Sequence, residues 1–314
     1  MTVNIDITKE LKTVEKLIKS DINKEKTILK LYNYIFKSDG KKIRSRLNLI
    51  ASSSSKNSYR YKLASIIELL HTATLVHDDV VDNASTRRGA MSVNSLWSNA
   101  HGVLIGDYIY SKAFMLMVEI GKKDILAELA DATNDISQGE LIQLDAISNI
   151  KISLNKLKKI SYFKTGRLFE ASAKTGAMLA GANKNFIKNI GESAKNIGIL
   201  FQIKDDLLDY SNSSKTGKQS FQDLKEGKVT YPFFFALKNS SQKEKKQLIS
   251  FLDNQRLNEK KALALISKLN GLTKTQQLAE KFYTSSVNAA KTINNQFIRQ
   301  EMIELANIAL NREK

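Results

Sequence analysis

The chain has 314 residues, 42% of them hydrophobic, enough for one large helical domain or two smaller ones. One proline and 14 glycines leave few helix breakers and argue against an all-β or doubly wound fold. The lack of cysteine excludes disulfides, thiolate zinc sites and thiol nucleophiles, and the formal charge of +17 raises nucleic acid, anionic membrane or an anionic substrate as partners.

The lysines are scattered beside Asn, Ile and Ser, with no arginine-rich arm and no recognised nucleic-acid motif. The charge therefore reads as general surface charge, with substrate steering and membrane contact as its remaining roles. Residues 1–10 lack the basic-then-apolar order of a signal peptide, and no run of 18 apolar residues is present. The expectation is a cytoplasmic protein that binds no nucleic acid. No Gly-rich phosphate loop appears, so any phosphate handling must use side chains and metal.

Residues 1–36 carry helical apolar spacing at Leu11, Val14, Leu17 and Ile18, then at Ile28, Leu29, Leu31 and Ile35, suited to packing or dimer contact. Residues 38–46 break the pattern at Gly40 and start a new helix, with Lys41 and Arg44 near its opening. Taken alone they form a basic loop as readily as an anion site. After a polar linker at 52–58, an apolar helix runs to His77-Asp78-Asp79-Val80-Val81-Asp82, followed by Arg87-Arg88-Gly89. At about 100° per residue, Asp78 and Asp82 share a face and His71 lies two turns earlier on nearly the same stripe. Carboxylates at that spacing repel unless a cation lies between them, and Mg²⁺ suits one or two carboxylates completed by water and phosphate. A solvated acidic helix end is the simpler reading of this segment alone.

Residues 102–110 resume apolar helix, and 122–146 carry another helical pattern with Gln138, Glu140 and Gln143 near its end, to which no role is assigned. Residues 157–179 are helical and contain Lys164-Thr165; the lysine either reaches solvent or serves an anion. A second Lys-Thr pair, Lys174-Thr175, reads as surface. Gln202 then precedes Asp205-Asp206-Leu207-Leu208-Asp209, which repeats the first acidic spacing after another apolar helical run. Two such clusters on facing helices are how bundles build metal sites. Residues 215–232 read as a cationic loop closed by the only proline, Pro232. Residues 233–314 are amphipathic helices, with connections expected at 239–246 and 270–274.

The paired Asp-Asp-x-x-Asp motifs resemble the signature of the trans-type isoprenyl diphosphate synthases, and the resemblance runs from about residue 39 to 232. It implies an all-α isoprenoid-synthase bundle around a central cavity, one synthase domain over residues 1–314, and a homodimer. It also implies a Mg²⁺-dependent prenyltransferase that condenses isopentenyl diphosphate with an allylic diphosphate. By the resemblance, Asp78, Asp82, Asp205 and Asp209 hold Mg²⁺. Lys41, Arg44, His71 and Arg88 bind isopentenyl diphosphate, the first two matching a Gly-Gly-Lys-Arg-x-Arg-Pro motif in which Asp39, Lys42 and Ser45 are departures. Arg87, Lys164, Lys218 and Lys228 serve diphosphate, while Thr165 and Gln202 stand near the allylic cation. Phe221 replaces a usual glycine in the last loop.

In that family bulky side chains just before the first acidic motif stop chain growth. Ala73 and Thr74 are small here, and no two-residue insertion follows Asp78. The resemblance therefore implies a long-chain, octaprenyl-type all-trans product for quinone side chains, with membrane contact for its release. The alternatives are a shorter farnesyl or geranylgeranyl synthase and the non-catalytic subunit of a heteromeric synthase, which usually loses its acidic motifs. A terpene cyclase needs no Lys41, Arg44 or His71. A His-Asp phosphohydrolase needs more histidines than His71, His77 and His101.

Overall fold

The structure, a computed structural model, describes residues 6–20, 22–37, 40–87, 89–211 and 220–312. Its chain divides into two compact units, Met1–Asp131 with Ala171–Lys188, and Ala132–Glu170 with Asn189–Lys314. Among the described residues a two-stranded ribbon is the sole β-structure, so the all-α expectation holds.

In the first unit α1 (Ile7–Ile18), α2 (Lys26–Ile35) and α3 (Ile43–Ala51) precede α4 (Tyr59–Val81). Leu63, Ile66, Ile67, Leu69, Leu70 and Ala73 of α4 are fully buried. This helix is apolar nearly all round because α1, α3 and α6 (Asn99–Ile120) pack on it. Polar side chains that enter this core each make at least one hydrogen bond, though Asn48 Oδ1, Arg60 Nε and Glu10 Oε2 are buried without one. Ser45 donates to the Ala64 carbonyl and to Glu68, and Asn48 donates to the Ser172 carbonyl. Arg60 is buried against Glu10 and the Leu49 carbonyl. The ribbon, β1 (Thr86–Arg87) with β2 (Ala90–Met91), follows α4 and leads to the short α5 (Val93–Leu96).

The division between the units falls within α7 (Lys123–Leu144), α9 (Arg167–Leu179) and α10 (Lys184–Leu208). The second unit also holds α8 (Leu154–Ser161), which passes into one π-helical turn, Tyr162–Gly166, before α9. After α10 come α11 (Gln222–Lys225), α12 (Tyr231–Asn239), α13 (Gln242–Ile249), α14 (Glu259–Lys268), α15 (Gly271–Lys291) and α16 (Gln296–Leu310). No helix of the described residues is long and apolar enough to cross a membrane.

Three expectations are corrected. Residues 239–246 are not a plain connection, because Ser241 and Glu244 form a capping box that opens α13. Residues 270–274 belong to the start of α15, turned in by Asn270 at φ 58°. The Lys174-Thr175 pair is not surface: Lys174 pairs with Glu128 at 2.8 Å, and the fully buried Thr175 lies 3.3 Å from Asn48 Nδ2.

Candidate functional site

Each unit carries one acidic motif, and in both motifs burial sorts the carboxylates in the same way. In the first unit α4 ends at Val81, with Asp78 one turn earlier and Asp82 as C-cap, both half-buried. Asp79 faces inward at 4% exposure. The Arg87 Nε donates to its Oδ1 at 2.6 Å, and Arg87 is held there by β1, paired with Ala90 of β2. Burial raises the Asp79 pKa, and the Arg87 guanidinium works against that shift. Arg88, between Arg87 and the Gly89 turn, lies outside the described residues.

Two residues expected at one diphosphate do meet. Arg44, in the first turn of α3, places Nη1 3.0 Å from His71 Nε2 on α4. A guanidinium only donates, so Nε2 accepts. Lys41 precedes this turn and is exposed. The neighbouring Lys42 is drawn to Glu15 at 2.6 Å. His77 is a packing residue whose ring lies against Gly106 and the Val103 carbonyl. Ala73 is fully buried and Thr74 half-buried, its hydroxyl donating to the His71 carbonyl.

In the second unit the π-helical turn presents Lys164 and Thr165. A π-turn inserts one residue into the helical ladder and so re-aims the side chains after it. Two glycines let neighbouring backbones close on it. A Cβ at Gly139 of α7 would lie 3.0 Å from Lys164 N, and one at Gly198 of α10 would lie 2.6 Å from Gly166 Cα. Lys164 Nζ donates to Glu140 Oε2 at 2.9 Å and Gln143 Oε1 at 3.0 Å. Thr165 Oγ1 donates to Gln202 Oε1 at 2.7 Å, and Gln202 Nε2 to Asp206 Oδ1 at 3.0 Å. Two residues expected at the allylic cation are thus bonded to each other. Glu140 and Gln143 had no expected role; their spacing from Gly139 on one helix was visible, but the partner lysine was not.

Asp206, the middle carboxylate, is 5% exposed and accepts also from the Tyr231 backbone N–H at 3.3 Å. Burial and the charge of Asp223 raise its pKa well above the ordinary range. Asp209 accepts from the N–H groups of Gln222 at 2.9 Å and Asp223 at 3.3 Å, holding the start of α11. Burial, then Asp223, pushes Asp209 up to about 8. Asp205 is the outward member, 36% exposed, with Arg312 at 2.9 Å. Lys228 pairs with Glu226 at 2.6 Å, and Lys218 lies outside the described residues.

Among the described residues no three His, Cys, Asp or Glu side chains converge as a complete metal cage. The less buried members, Asp78 with Asp82 in the first unit and Asp205 in the second, offer hard carboxylate oxygens, donors that suit Mg²⁺ completed by water and phosphate. Side chains suited to phosphate are Arg44 and Arg87 in the first unit and Lys164 in the second.

A family model for polyprenyl synthetase matches residues 25–269. The chain is 33% identical over 286 residues to the octaprenyl diphosphate synthase of Escherichia coli strain K12, covering 90% of this chain and 88% of that one. It superposes with a TM-score of 0.92 and 30% identity on a decaprenyl diphosphate synthase from Rhodobacter capsulatus, covering 98% and 97% of the two chains. The same score and identity relate it to a polyprenyl synthase from Caulobacter crescentus CB15 complexed with calcium and isoprenyl diphosphate, over 98% and 96% of the chains.

Proposed function

This chain belongs to the polyprenyl synthetase family, and on that premise we propose that it is a Mg²⁺-dependent trans-prenyltransferase making a long-chain polyprenyl diphosphate for quinone side chains. The observation that carries this reading is the parallel sorting of the two acidic motifs. Asp79 and Asp206 turn inward to internal donors, while Asp78 and Asp82 are half-buried and Asp205 is 36% exposed beside Arg312; these three are the oxygen ligands of this reading. The relatives named octaprenyl and decaprenyl diphosphate synthases support the long-chain reading, as do the small Ala73 and Thr74. The Caulobacter complex with calcium and isoprenyl diphosphate supports a divalent cation. The family match runs through both units, which supports one synthase domain over residues 1–314.

Bound Mg²⁺ would supply positive charge where a diphosphate leaving group gains negative charge. Asp78, Asp82 and Asp205 would hold it, with Asp209 anchoring the turn that follows. Lys164, oriented by Glu140 and Gln143, adds a fixed cation for the same charge; Arg87, Lys218 and Lys228 are the further cations the resemblance assigns to diphosphate. The allylic carbon–oxygen bond breaks as diphosphate leaves. Thr165 Oγ1, its proton committed to Gln202, would have lone pairs to offer the carbon that becomes cationic. Lys41, Arg44, His71 and Arg88 hold isopentenyl diphosphate, whose double bond forms the new carbon–carbon bond. A proton is then lost, to the departed diphosphate, and the chain is five carbons longer. No protein nucleophile is needed. We place the enzyme in the cytoplasm, with its basic surface touching membrane as the product leaves.

The test is product analysis by mass spectrometry of the purified protein with farnesyl diphosphate, isopentenyl diphosphate and Mg²⁺, against an EDTA control. The expected result is a Mg²⁺-dependent ladder ending near eight to ten isoprene units, lost in Asp78→Ala and Asp205→Ala variants that still fold. A ladder that stops at fifteen or twenty carbons removes the long-chain part. No elongation removes the synthase reading for this chain acting alone.

A further inference from the structure

The outward carboxylate of the second motif meets a side chain that belongs to no motif. Arg312 lies two residues beyond α16, and its Nη1 is 2.9 Å from Asp205 Oδ1. Its guanidinium carbon sits 3.9 Å from the centroid of the Phe201 ring. Phe201 and Asp205 are one turn apart on α10, so one planar cation reaches both, its face on the ring and Nη1 in ion-pair contact with the carboxylate though outside hydrogen-bond geometry. The Arg312 side chain is 11% exposed, so this is a built contact rather than a loose surface pair. The helix that delivers it is anchored by buried Ile298, Met302, Leu305 and Ala306 and by the Tyr283 hydroxyl on Asn307 at 2.8 Å.

We infer that Arg312 is a positioning residue that acts through Asp205. It is the internal counter-ion of that carboxylate, and a divalent cation taking Asp205 displaces it, weakening the docking of residues 311–312. The inference rests on the reading above, in which Asp205 holds the metal. A guanidinium and a divalent ion on one carboxylate repel at contact distance. Metal binding and the ion pair are therefore linked, and each weakens the other to the same degree.

The experiment titrates the full chain with Mn²⁺ alone by calorimetry, and follows hydrogen exchange of residues 305–312. Arg312→Ala should bind Mn²⁺ about fivefold more tightly than the wild type, the order of magnitude of a partly exposed ion pair, with Arg312→Lys between them. In the wild type Mn²⁺ should speed exchange of 305–312, and Asp205→Asn should show the faster exchange without Mn²⁺. Arg312→Ala affinity equal to or below that of the wild type overturns the inference. So does exchange in the wild type that ignores Mn²⁺, a readout that needs no variant to fold. If the wild type binds Mn²⁺ and Asp205→Asn does not, the metal reading stands whatever Arg312 does. If neither the wild type nor Arg312→Ala binds Mn²⁺, the metal reading falls and takes this one with it.

Discussion

Asp209 shows how one side chain carries two demands. Its oxygens take the first N–H groups of α11, a helix-capping contact that suits a carboxylate. Burial and the nearby Asp223 oppose its charge and raise its pKa from 3.8 to about 8. A carboxyl whose folded-state pKa is raised stabilises the fold when protonated, and that contribution is lost as pH rises through the folded pKa. Wild-type stability in EDTA should therefore fall relative to Asp209→Asn between about pH 4 and 8. The gap in melting temperature should widen by a few degrees over that range; a gap that stays constant with pH would contradict the assignment. Asp79 is also shifted upward by burial but has an ion pair with Arg87 beside it, whereas Asp206, at the same place in its motif, has the charge of Asp223. The two inward carboxylates thus sit in different electrostatic settings despite their equal place in the motif.

The element that most shapes the second unit's chemistry is the π-helical turn. A regular α-helix through residues 162–166 would aim Lys164 and Thr165 differently, because each residue turns the chain by about 100°. The turn is braced across its length by the Tyr162 hydroxyl on Glu170 at 2.6 Å and by Arg167 on Asp135 at 2.8 Å. It is seated between α7 and α10 at Gly139 and Gly198. A Cβ at position 198 would meet Gly166 Cα at 2.6 Å and Phe169 Cβ at 3.0 Å, and neither is the movable end of a side chain. Gly198→Ala should cost about 1–3 kcal/mol of stability, as overpacking does. It should also lower kcat by pulling Gln202 from Thr165. Wild-type melting temperature together with wild-type turnover would show that α10 does not need this close approach.

On the scale of the whole molecule the open question is what covers α6. Leu104, Met115 and Val118 are 67%, 68% and 69% exposed. Their spacing puts them on one stripe with Ser111 between. A run of apolar side chains of this size on one helix face marks an association surface. We propose that, in the homodimer the resemblance implies, a second copy of α6 covers this stripe. Met115→Lys with Val118→Lys should shift the mass seen by light scattering from dimer to monomer without loss of helical signal. A wild-type mass in the double variant would place the interface elsewhere.

The sequence by itself determined the helical class, through one proline and persistent helical apolar spacing. It also carried the resemblance that implies the chemistry, because the two Asp-Asp-x-x-Asp motifs are local patterns, each legible without the fold. Arg44 with His71, and Thr165 with Gln202, were named from the chain and are in contact in the fold. The partners were not legible. Nothing local joins Lys164 to Glu140, Asp206 to Tyr231 N or Asp205 to Arg312, because such pairings depend on which helices lie side by side. Nor did spacing show that the middle carboxylate of each motif turns inward, since burial belongs to the neighbours of a helix face rather than to the helix. The π-turn escaped for a related reason: an α-helix and a π-turn carry the same apolar pattern over five residues, and packing against Gly139 and Gly198 decides between them.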